Sequence, residues 1–402
     1  MSHGKKRSLE ERRREAVRAV RGRQSIRSVA RQFGIDRSAV AYWVRRARGK
    51  GLSRALFTND KPGRAANRTP RTLERVILEA RRELRERSAL GEFGCDAILR
   101  TLKRRLPKDR VPGRTTIYRI LERHGVLDAA RRQRRPAPPK GWHLPDLARG
   151  EVELDTFDFI QDLRFEKDGP SFDVLTSTSA HGARAQTWIL PQTSSRVTSK
   201  ALLKRWEHLG LPAYAQFDND TVFQGAHQFT DSFGLVIRVC LALGVIPVFA
   251  PPREHGFQNT IEGFNGLWQR KVWQRQSFSS FPSLRAASRR YIRAYLAKTA
   301  NRQERAPKRR PFPKNFKLDL SAPLKGKVIL LRRSSDTGYV YLPGGKGFQP
   351  DKHWCNRLVR CEIDFTRQRI RFYALRRSDP ERQPLLLELP YPRPTKPFKG
   401  QL

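Results

Sequence analysis

The chain has 402 residues, of which 82 are Lys or Arg and 38 are Asp or Glu, so its formal net charge at pH 7 is +44. That length allows about two to four domains. So large a positive excess predicts a polyanionic partner, and nucleic acid is the expected one. No run of about 18 apolar residues occurs, and residues 1–17 lack the apolar core of an export signal, so we expect a cytoplasmic, DNA-associated protein of bacterial type.

Cysteine usage excludes two further kinds of structure. The four cysteines are widely spaced and none forms a Cys-x-x-Cys pair, so neither a disulfide framework nor a zinc site is indicated. The compartment is expected to be reducing.

Residues 1–58 are predicted to form a helix-turn-helix DNA-binding domain. Ala30 is small enough for two helices to approach, Gly34 permits a left-handed turn, and Asp36 can cap the following helix. An ordinary helical hairpin is the alternative. The residues expected to contact DNA lie on the second helix of the motif: Arg37, Ser38, Tyr42, Arg45 and Arg46.

A second helical, winged-helix-like DNA-binding domain is predicted for residues 70–128. Apolar residues recur at near-helical spacings through this segment. Its last helix begins at capping threonines after Gly113 and stops at Gly125. The expected DNA contacts are Arg114, Thr115 and Arg119. A purely structural three-helix unit is nearly as good an explanation.

Residues 129–145 are predicted to be a basic, proline-rich linker, because charge repulsion and prolines oppose a helix. Four of its arginines could follow a DNA backbone, although a solvated tether explains them equally well: Arg131, Arg132, Arg134 and Arg135.

Residues 146–305 show a mixed α/β pattern. Strands are predicted at 152–160, 172–177, 186–190, 214–217 and 245–249, and helices at 197–209, 228–243, 257–274 and 283–298. Such a sheet has helices on both faces and can place acidic groups where strands end.

Short strands in residues 325–390 are predicted to form a small basic β-barrel, and residues 391–402 a disordered, proline-rich tail. The chain is therefore expected to be multidomain, with N-terminal all-α units, a central α/β domain and a C-terminal β-barrel.

Three acidic residues in different settings predict a metal site. In strand geometry Glu151, Glu153 and Asp155 share one side, and such a row of carboxylates repels itself unless cations relieve it. A wet acidic edge strand is the alternative. Asp218 ends the strand at 214–217, where a carboxylate projects into the crevice above the sheet. Asp220 is a rival for the same role but is explained more simply as a turn residue.

The third acid, Glu262, lies on a polar stripe of the helix at 257–274. The opposite stripe is apolar, so the polar one can face an active site. Arg270 and Lys271 follow it as expected phosphate contacts. A plain surface glutamate is the alternative.

The chain resembles the DDE catalytic core of insertion-sequence transposases and retroviral integrases at three places. These are Asp155 in a first strand, Asp218-Asn219 at a later strand end, and the run from His255 through Glu262 to Asn265. The resemblance covers about residues 151–301. It implies a ribonuclease H-like fold with a mixed five-stranded sheet. The separation of 44 positions from Asp218 to Glu262 implies a helical insertion, and Asp220 stands where the family often has glycine.

Carried across, the resemblance makes Asp155, Asp218 and Glu262 the catalytic metal ligands for two Mg²⁺ ions per site, with Mn²⁺ able to substitute. It implies DNA cleavage and strand transfer at the ends of a mobile element. The implied partners are double-stranded DNA, as terminal inverted repeats and target, and further copies of the chain in a synaptic complex. Asp158 and Asp220 are expected to be dispensable.

Other functions stay open on sequence alone. A sequence-specific DNA-binding regulator would explain the charge and the helix-turn-helix, but not the acids. A ribonuclease H-like nuclease would share the metals without joining strands. A decayed, inactive transposase is a further possibility.

Overall fold

The structure is a computed structural model that describes residues 9–49, 51–52, 69–127, 141–228, 231–252, 254, 256–377, 379–395, 398 and 400–402. The four linker arginines lie outside these residues. The chain divides into two compact units, Met1–Val76 and Ile77–Leu402. None of the described helices is both long enough and apolar enough to cross a membrane.

The first unit contains three short helices, α1 (Leu9–Arg21), α2 (Ile26–Phe33) and α3 (Arg37–Arg46). The Asp36 carboxylate accepts a hydrogen bond from the Ser38 amide and caps α3. Gly34 ends α2 with φ of 61°, a left-handed conformation that glycine adopts without strain. Ala30 and Val40 are buried between the helices. The predicted helix-turn-helix geometry is therefore present.

Three more helices follow: α4 (Arg71–Arg87), α5 (Cys95–Arg105) and α6 (Arg114–Arg123), with a 3₁₀ turn at Lys108–Arg110. Ile98, Leu102 and Ile117 are fully buried among them, as the apolar spacing predicts. The described residues of this segment form helices and turns without a strand. The predicted helices are therefore present, but these residues do not form the β-strand wing of a winged helix.

The strands of the described chain are β1 (Leu154–Leu163), β2 (Phe172–Ser179), β3 (Gln186–Leu190), β4 (Tyr214–Phe217), β5 (Ile246–Phe249), β6 (Lys327–Arg333), β7 (Val340–Tyr341), β8 (Gly347–Phe348), β9 (Leu358–Asp364), β10 (Arg369–Leu375) and β11 (Leu385–Pro390). In this part of the chain, nine of them form one sheet in the order β11-β10-β9-β6-β5-β4-β1-β2-β3, and β7 pairs with β8. The pairs β1–β4, β4–β5 and β5–β6 are parallel. The other pairs are antiparallel.

The remaining helices are α7 (Pro145–Ala148), α8 (Ser195–Leu209), α9 (Thr221–Gln224), α10 (Leu235–Ala242), α11 (Asn259–Lys271), α12 (Phe281–Lys298) and α13 (Ala300–Glu304), with a 3₁₀ turn at Trp273–Arg275. Helix α10 lies between Asp218 and Glu262, where the long spacing predicted a helical insertion.

The sheet corrects two predictions about architecture. It has nine strands within the described residues rather than five. The strands of 325–390 do not form a separate barrel, because β6 pairs with β5 and β9–β11 continue the same sheet. Val328 and Phe372 of this extension share one hydrophobic core with Phe157 and Phe217 of the central strands. The C-terminal segment is therefore part of the central α/β domain.

The expectation of a disordered tail is also wrong for its described residues. Tyr391 is buried, and its hydroxyl donates a hydrogen bond to Asp231. The Phe398 ring lies 4.3 Å from the Arg238 guanidinium. These contacts attach the tail to α10 and the loop before it.

Candidate active site

The register of the two central parallel strands brings two aspartates together. Leu154, Asp155 and Thr156 on β1 pair with Tyr214, Ala215 and Gln216 on β4. Continued past the last paired residues, the same offset of 60 positions matches Asp158 with Asp218, which directly follows β4. Residues level on paired strands point to the same face, so these two carboxyl groups are neighbours.

Helix α11 covers that face and carries the third acid. Its apolar side, with Ile261 and Phe264, packs against Ile160 of β1. Its Asn265 side chain donates a hydrogen bond of 2.7 Å from Nδ2 to Oδ2 of Asp158. Glu262 is exposed one turn before Asn265, on the polar stripe predicted from sequence. The site therefore consists of β1, the end of β4 and the first half of α11.

The charges of these acids act on one another. Burial raises the pKa of Asp158 to about 7, and the Asp218 carboxylate and, to a smaller extent, Glu262 add to the increase. Burial also raises the pKa of Asp218. Within the described residues, the hydrogen bonds to Asp158 and Asp218 come from uncharged donors, the Phe159 and Asp220 backbone amides and the Asn265 side chain.

Asp155, the first acid predicted from sequence, does not belong to this group. It is completely buried, and its oxygens accept hydrogen bonds from Arg205 at 2.9 and 3.0 Å. Arg309, Ser179 and Trp206 also donate to it. Burial alone would raise the pKa of Asp155, but Arg205 and Arg309 hold it well below its usual range.

Strand geometry explains this separation. Asp155 and Asp158 are three positions apart, so they project from opposite faces of β1. On the Asp155 face lie Phe157 and helix α8, which contributes Arg205. The charge of Asp155 is already balanced by the guanidinium groups of Arg205 and Arg309. Glu153 is likewise engaged, because it accepts the amides of His181 and Gly182.

The donor chemistry at Asp158 and Asp218 suits a hard divalent cation. Carboxylate oxygens are the usual ligands of such ions, and a cation would remove the repulsion between the two groups. In the conformation that the described residues adopt, no three His, Cys, Asp or Glu side chains converge closely enough to enclose an ion. Glu262 is exposed in this conformation and does not form a three-carboxylate cluster with Asp158 and Asp218.

Asp220 has the structural role that its turn position predicted. Its side chain accepts the Val222 amide at 2.8 Å and caps α9. The adjacent Asn219 donates from Nδ2 to the Ala250 carbonyl at 2.7 Å. The turn after Asp218 is thus fixed to the end of β5.

The side chains expected to contact DNA divide into two groups. Those on the helices of 9–127 are exposed in the structure: Arg37, Ser38, Tyr42, Arg45, Arg46, Arg114, Thr115 and Arg119. Arg270 is exposed as well. Lys271 instead donates to the Gly91 carbonyl at 2.9 Å, beside Arg275, which donates to Ser88. The Lys271 ammonium thus joins α11 to the loop at Gly91, and its expected contact with phosphate stays a prediction.

Sequence reasoning missed a cluster at the entrance to α11. Trp142 and His143, which lie at the end of the predicted linker, pack on Phe257, with ring centroids 5.5 and 5.3 Å from it. The Arg377 guanidinium lies over Trp142 and Phe257 at 5.8 and 5.6 Å. Burial lowers the pKa of His143 to about 3, so its ring is neutral. The apolar run from Trp142 to Leu144 at the end of a charged linker was the available signal.

A comparison with known protein families supports a helix-turn-helix in the first segment. A family described as Helix-turn-helix domain matches residues 12–66. No curated protein matches the chain. The N-terminal region is thus a helix-turn-helix region, ahead of an α/β domain with a large mixed sheet.

Solved structures give distant matches at 12% identity. A cryo-EM structure of a simian T-cell lymphotropic virus intasome with a PP2A regulatory subunit has a TM-score of 0.31, covering 65% of this chain and 88% of that chain. The catalytic core domain of BIV integrase has a TM-score of 0.27, covering 35% and 80%. The HTLV-2 integrase catalytic core domain with magnesium has a TM-score of 0.24, covering 40% and 87%.

Proposed function

We propose that this protein is a DDE-type transposase, a polynucleotidyl transferase that cleaves DNA and joins strands at the ends of an insertion sequence. Asp158, Asp218 and Glu262 are its metal-holding carboxylates, with Asp158 in the role that the sequence suggested for Asp155. The observation that carries the proposal is the register of β1 and β4, which sets Asp158 beside Asp218 under the helix of Glu262.

Two Mg²⁺ ions, or Mn²⁺ in their place, would activate a water or a DNA 3′-hydroxyl and stabilise the leaving oxygen in an in-line displacement at phosphorus. The protein's own part is positioning. Asn265 holds Oδ2 of Asp158, and the Phe159 amide donates to Oδ1 at 2.9 Å, so this carboxylate cannot rotate freely. Asp218 is held by the Asp220 amide at 3.0 Å. Rigid carboxylates fix where the scissile phosphate must lie.

The remaining parts supply DNA recognition. The exposed face of α3 is proposed to read the terminal repeats, because basic and polar side chains lie along it. The net charge of +44 favours binding of both element and target DNA. Several copies of the chain are proposed to act together in the synaptic complex, since two element ends must be joined to one target.

The test is cleavage and strand joining by the full chain in Mg²⁺ with DNA that carries the sequences flanking its coding region. We expect Asp158→Asn, Asp218→Asn and Glu262→Gln each to abolish both reactions and leave DNA binding nearly intact. Each change keeps side-chain volume and removes a charge that holds metal.

Asp162→Asn is the matched control. It makes the same change on the same strand, at an exposed residue whose φ of 56° asparagine also tolerates. It should leave cleavage unchanged. Full activity of Asp158→Asn would remove that residue from the site. DNA binding without any cleavage by the unmodified protein would favour a DNA-binding regulator, and cleavage without joining would favour a nuclease.

A further inference from the structure

Two tyrosines are exposed side by side at the start and the end of the segment 339–341, which includes the short strand β7. Tyr339, which directly precedes the strand, is 38% exposed, and Tyr341 is 55% exposed. They alternate with Val340 and Leu342, which are buried in the main core. The alternation anchors one face of this segment and directs both phenol rings to solvent.

The rings form a small platform. Their centroids are 6.3 Å apart, and their planes are within 21° of parallel. Gly347 of β8 pairs with Tyr341 of β7 and lies next to both rings. A Cβ at Gly347 would stand 3.0 Å from Tyr341 and 3.7 Å from Tyr339, so a side chain there would crowd the rings. Glycine at this position leaves space beside both rings.

The segment that carries the platform leaves the sheet at the same end of the parallel strands as Asp218. Strands β4, β5 and β6 are parallel, with Phe217 level with Phe249 and Phe249 level with Leu330. Asp218 follows Phe217 at the end of β4, and Arg333 ends β6. Arg333 also pairs with Glu254, in the loop that leads to α11. The segment 334–357 contains both tyrosines. It therefore leaves the sheet at the carboxyl ends of the parallel strands, where Asp218 also lies.

We propose that Tyr339 and Tyr341 bind an unpaired nucleobase of the DNA strand that enters the active site. Aromatic side chains of exposed tyrosines stack on any base, since every base has a π face. A duplex hides those faces, so the preferred ligand is single-stranded DNA or a frayed end. Lys352 and Arg357 are exposed on the same segment and supply charge complementary to the strand's phosphates.

This inference rests on the proposed function for the identity of the strand, but its test does not need catalysis. Fluorescence of 2-aminopurine, which is quenched by stacking, reports whether a base sits on an aromatic ring. The probes are a single strand, a blunt duplex and a duplex with an unpaired end, each carrying 2-aminopurine at the terminal position. All measurements use the full chain in EDTA, so cleavage does not interfere.

Replacing both tyrosines by alanine should lower affinity for the single strand and the unpaired end by about 5- to 100-fold and remove the quenching, given typical stacking strengths. Affinity for the blunt duplex should change less than twofold. Replacing both by phenylalanine should preserve binding, because the ring faces remain. Leu385→Ala, at another exposed apolar residue, should have no effect.

Gly347→Val provides a second test that keeps both tyrosines, because its side chain displaces the rings; it should also weaken single-strand binding. Unchanged affinity and quenching in the double alanine variant would overturn the platform. So would an equal loss for the blunt duplex, which would make the tyrosines a general DNA or folding contact. Loss of cleavage in Asp158→Asn alongside normal quenching in the double alanine variant would keep the proposed function and reject the platform.

Discussion

Two aspartates on one strand have opposite electrostatic environments. Asp155 is fully buried between the guanidinium groups of Arg205 and Arg309, which stabilise its charge. Asp158 faces Asp218 and Glu262, which destabilise its charge. A residue that costs stability and has neighbours of the same charge is typical of a functional site, whereas a neutralised buried ion pair is typical of a structural one.

The sequence contained enough information to separate these residues, but only when the whole strand is considered. Asp155 alternates with Phe157 and Phe159, so it shares the apolar face of β1, while Asp158 alternates with Thr156. The arginines that neutralise Asp155 are 50 and 154 positions away. Contacts at such separations follow from the fold and leave no local pattern, which is why the acidic row suggested Asp155.

We expect the two aspartates to respond in opposite directions when the metal-free protein is unfolded with denaturant at pH 8. Asp155→Asn should lower the free energy of unfolding by about 3–5 kcal/mol, because it leaves buried arginines without their partner. Asp158→Asn should raise it by about 1–3 kcal/mol, because each pKa unit corresponds to about 1.4 kcal/mol and the asparagine removes a repelled charge.

The sign of the Asp158 effect can be checked with pH. Its pKa of about 7 lies above the ordinary value of 3.8, so its ionisation reduces stability as pH rises from about 4 through 7. The gain from Asp158→Asn should therefore shrink as pH falls and vanish below about pH 3, where the carboxyl is protonated in both the folded and the unfolded state. Asp162→Asn, on the exposed end of the strand, should show neither effect. A gain that persists below about pH 3 would point to packing rather than charge.

At the scale of elements, local patterns predicted most of the central domain. Strands β3 and β4 lie at the predicted residues. Helices α8 and α12 each begin within two residues of the predicted start. The pairing of β6 with β5 was not predicted, because pairing between distant strands depends on edges exposed by the fold. A segment of short strands with turns also fits a barrel, so its sequence alone could not distinguish the two arrangements.

Substitutions on helix α3 should distinguish residues that read bases from residues that bind phosphates. Its exposed residues include Ser38 and Tyr42 near the start and middle, and Arg45 and Arg46 at the end. Replacing Ser38 and Tyr42 together by alanine should abolish the enrichment of a preferred sequence from a random duplex library. Replacing Arg45 and Arg46 should weaken binding to all sequences and reduce the salt slope by about 2, since each phosphate contact contributes about 0.9.

All four changes in α3 are at exposed side chains, so circular dichroism should show an intact helical unit. Arg31→Ala, at an exposed cation near the end of α2, is the control for a general loss of charge. A sequence preference that survives the Ser38 and Tyr42 changes would assign base reading to another element, with exposed residues of α6 as the next to test.

At the scale of the whole molecule, charge rather than shape is expected to dominate the affinity for DNA. With a net charge of +44, most of the binding free energy should come from neutralised phosphates. Several arginines are used internally, as Arg205 and Arg309 show at Asp155 and Arg275 at Ser88. The exposed basic residues of the helical units and those of the linker are among the ones expected to meet a DNA backbone.

The linker gives the sharpest test of this distribution. Replacing Arg131, Arg132, Arg134 and Arg135 together by alanine should flatten the slope of log K against log salt concentration by up to about 3–4 if all four touch phosphates. Sequence preference should barely change, because phosphate contacts position a protein without reading bases. Titrations of one duplex at several salt concentrations measure the slope. A slope equal to that of the unmodified protein would make the linker a tether and confine phosphate binding to folded surfaces such as the end of α3.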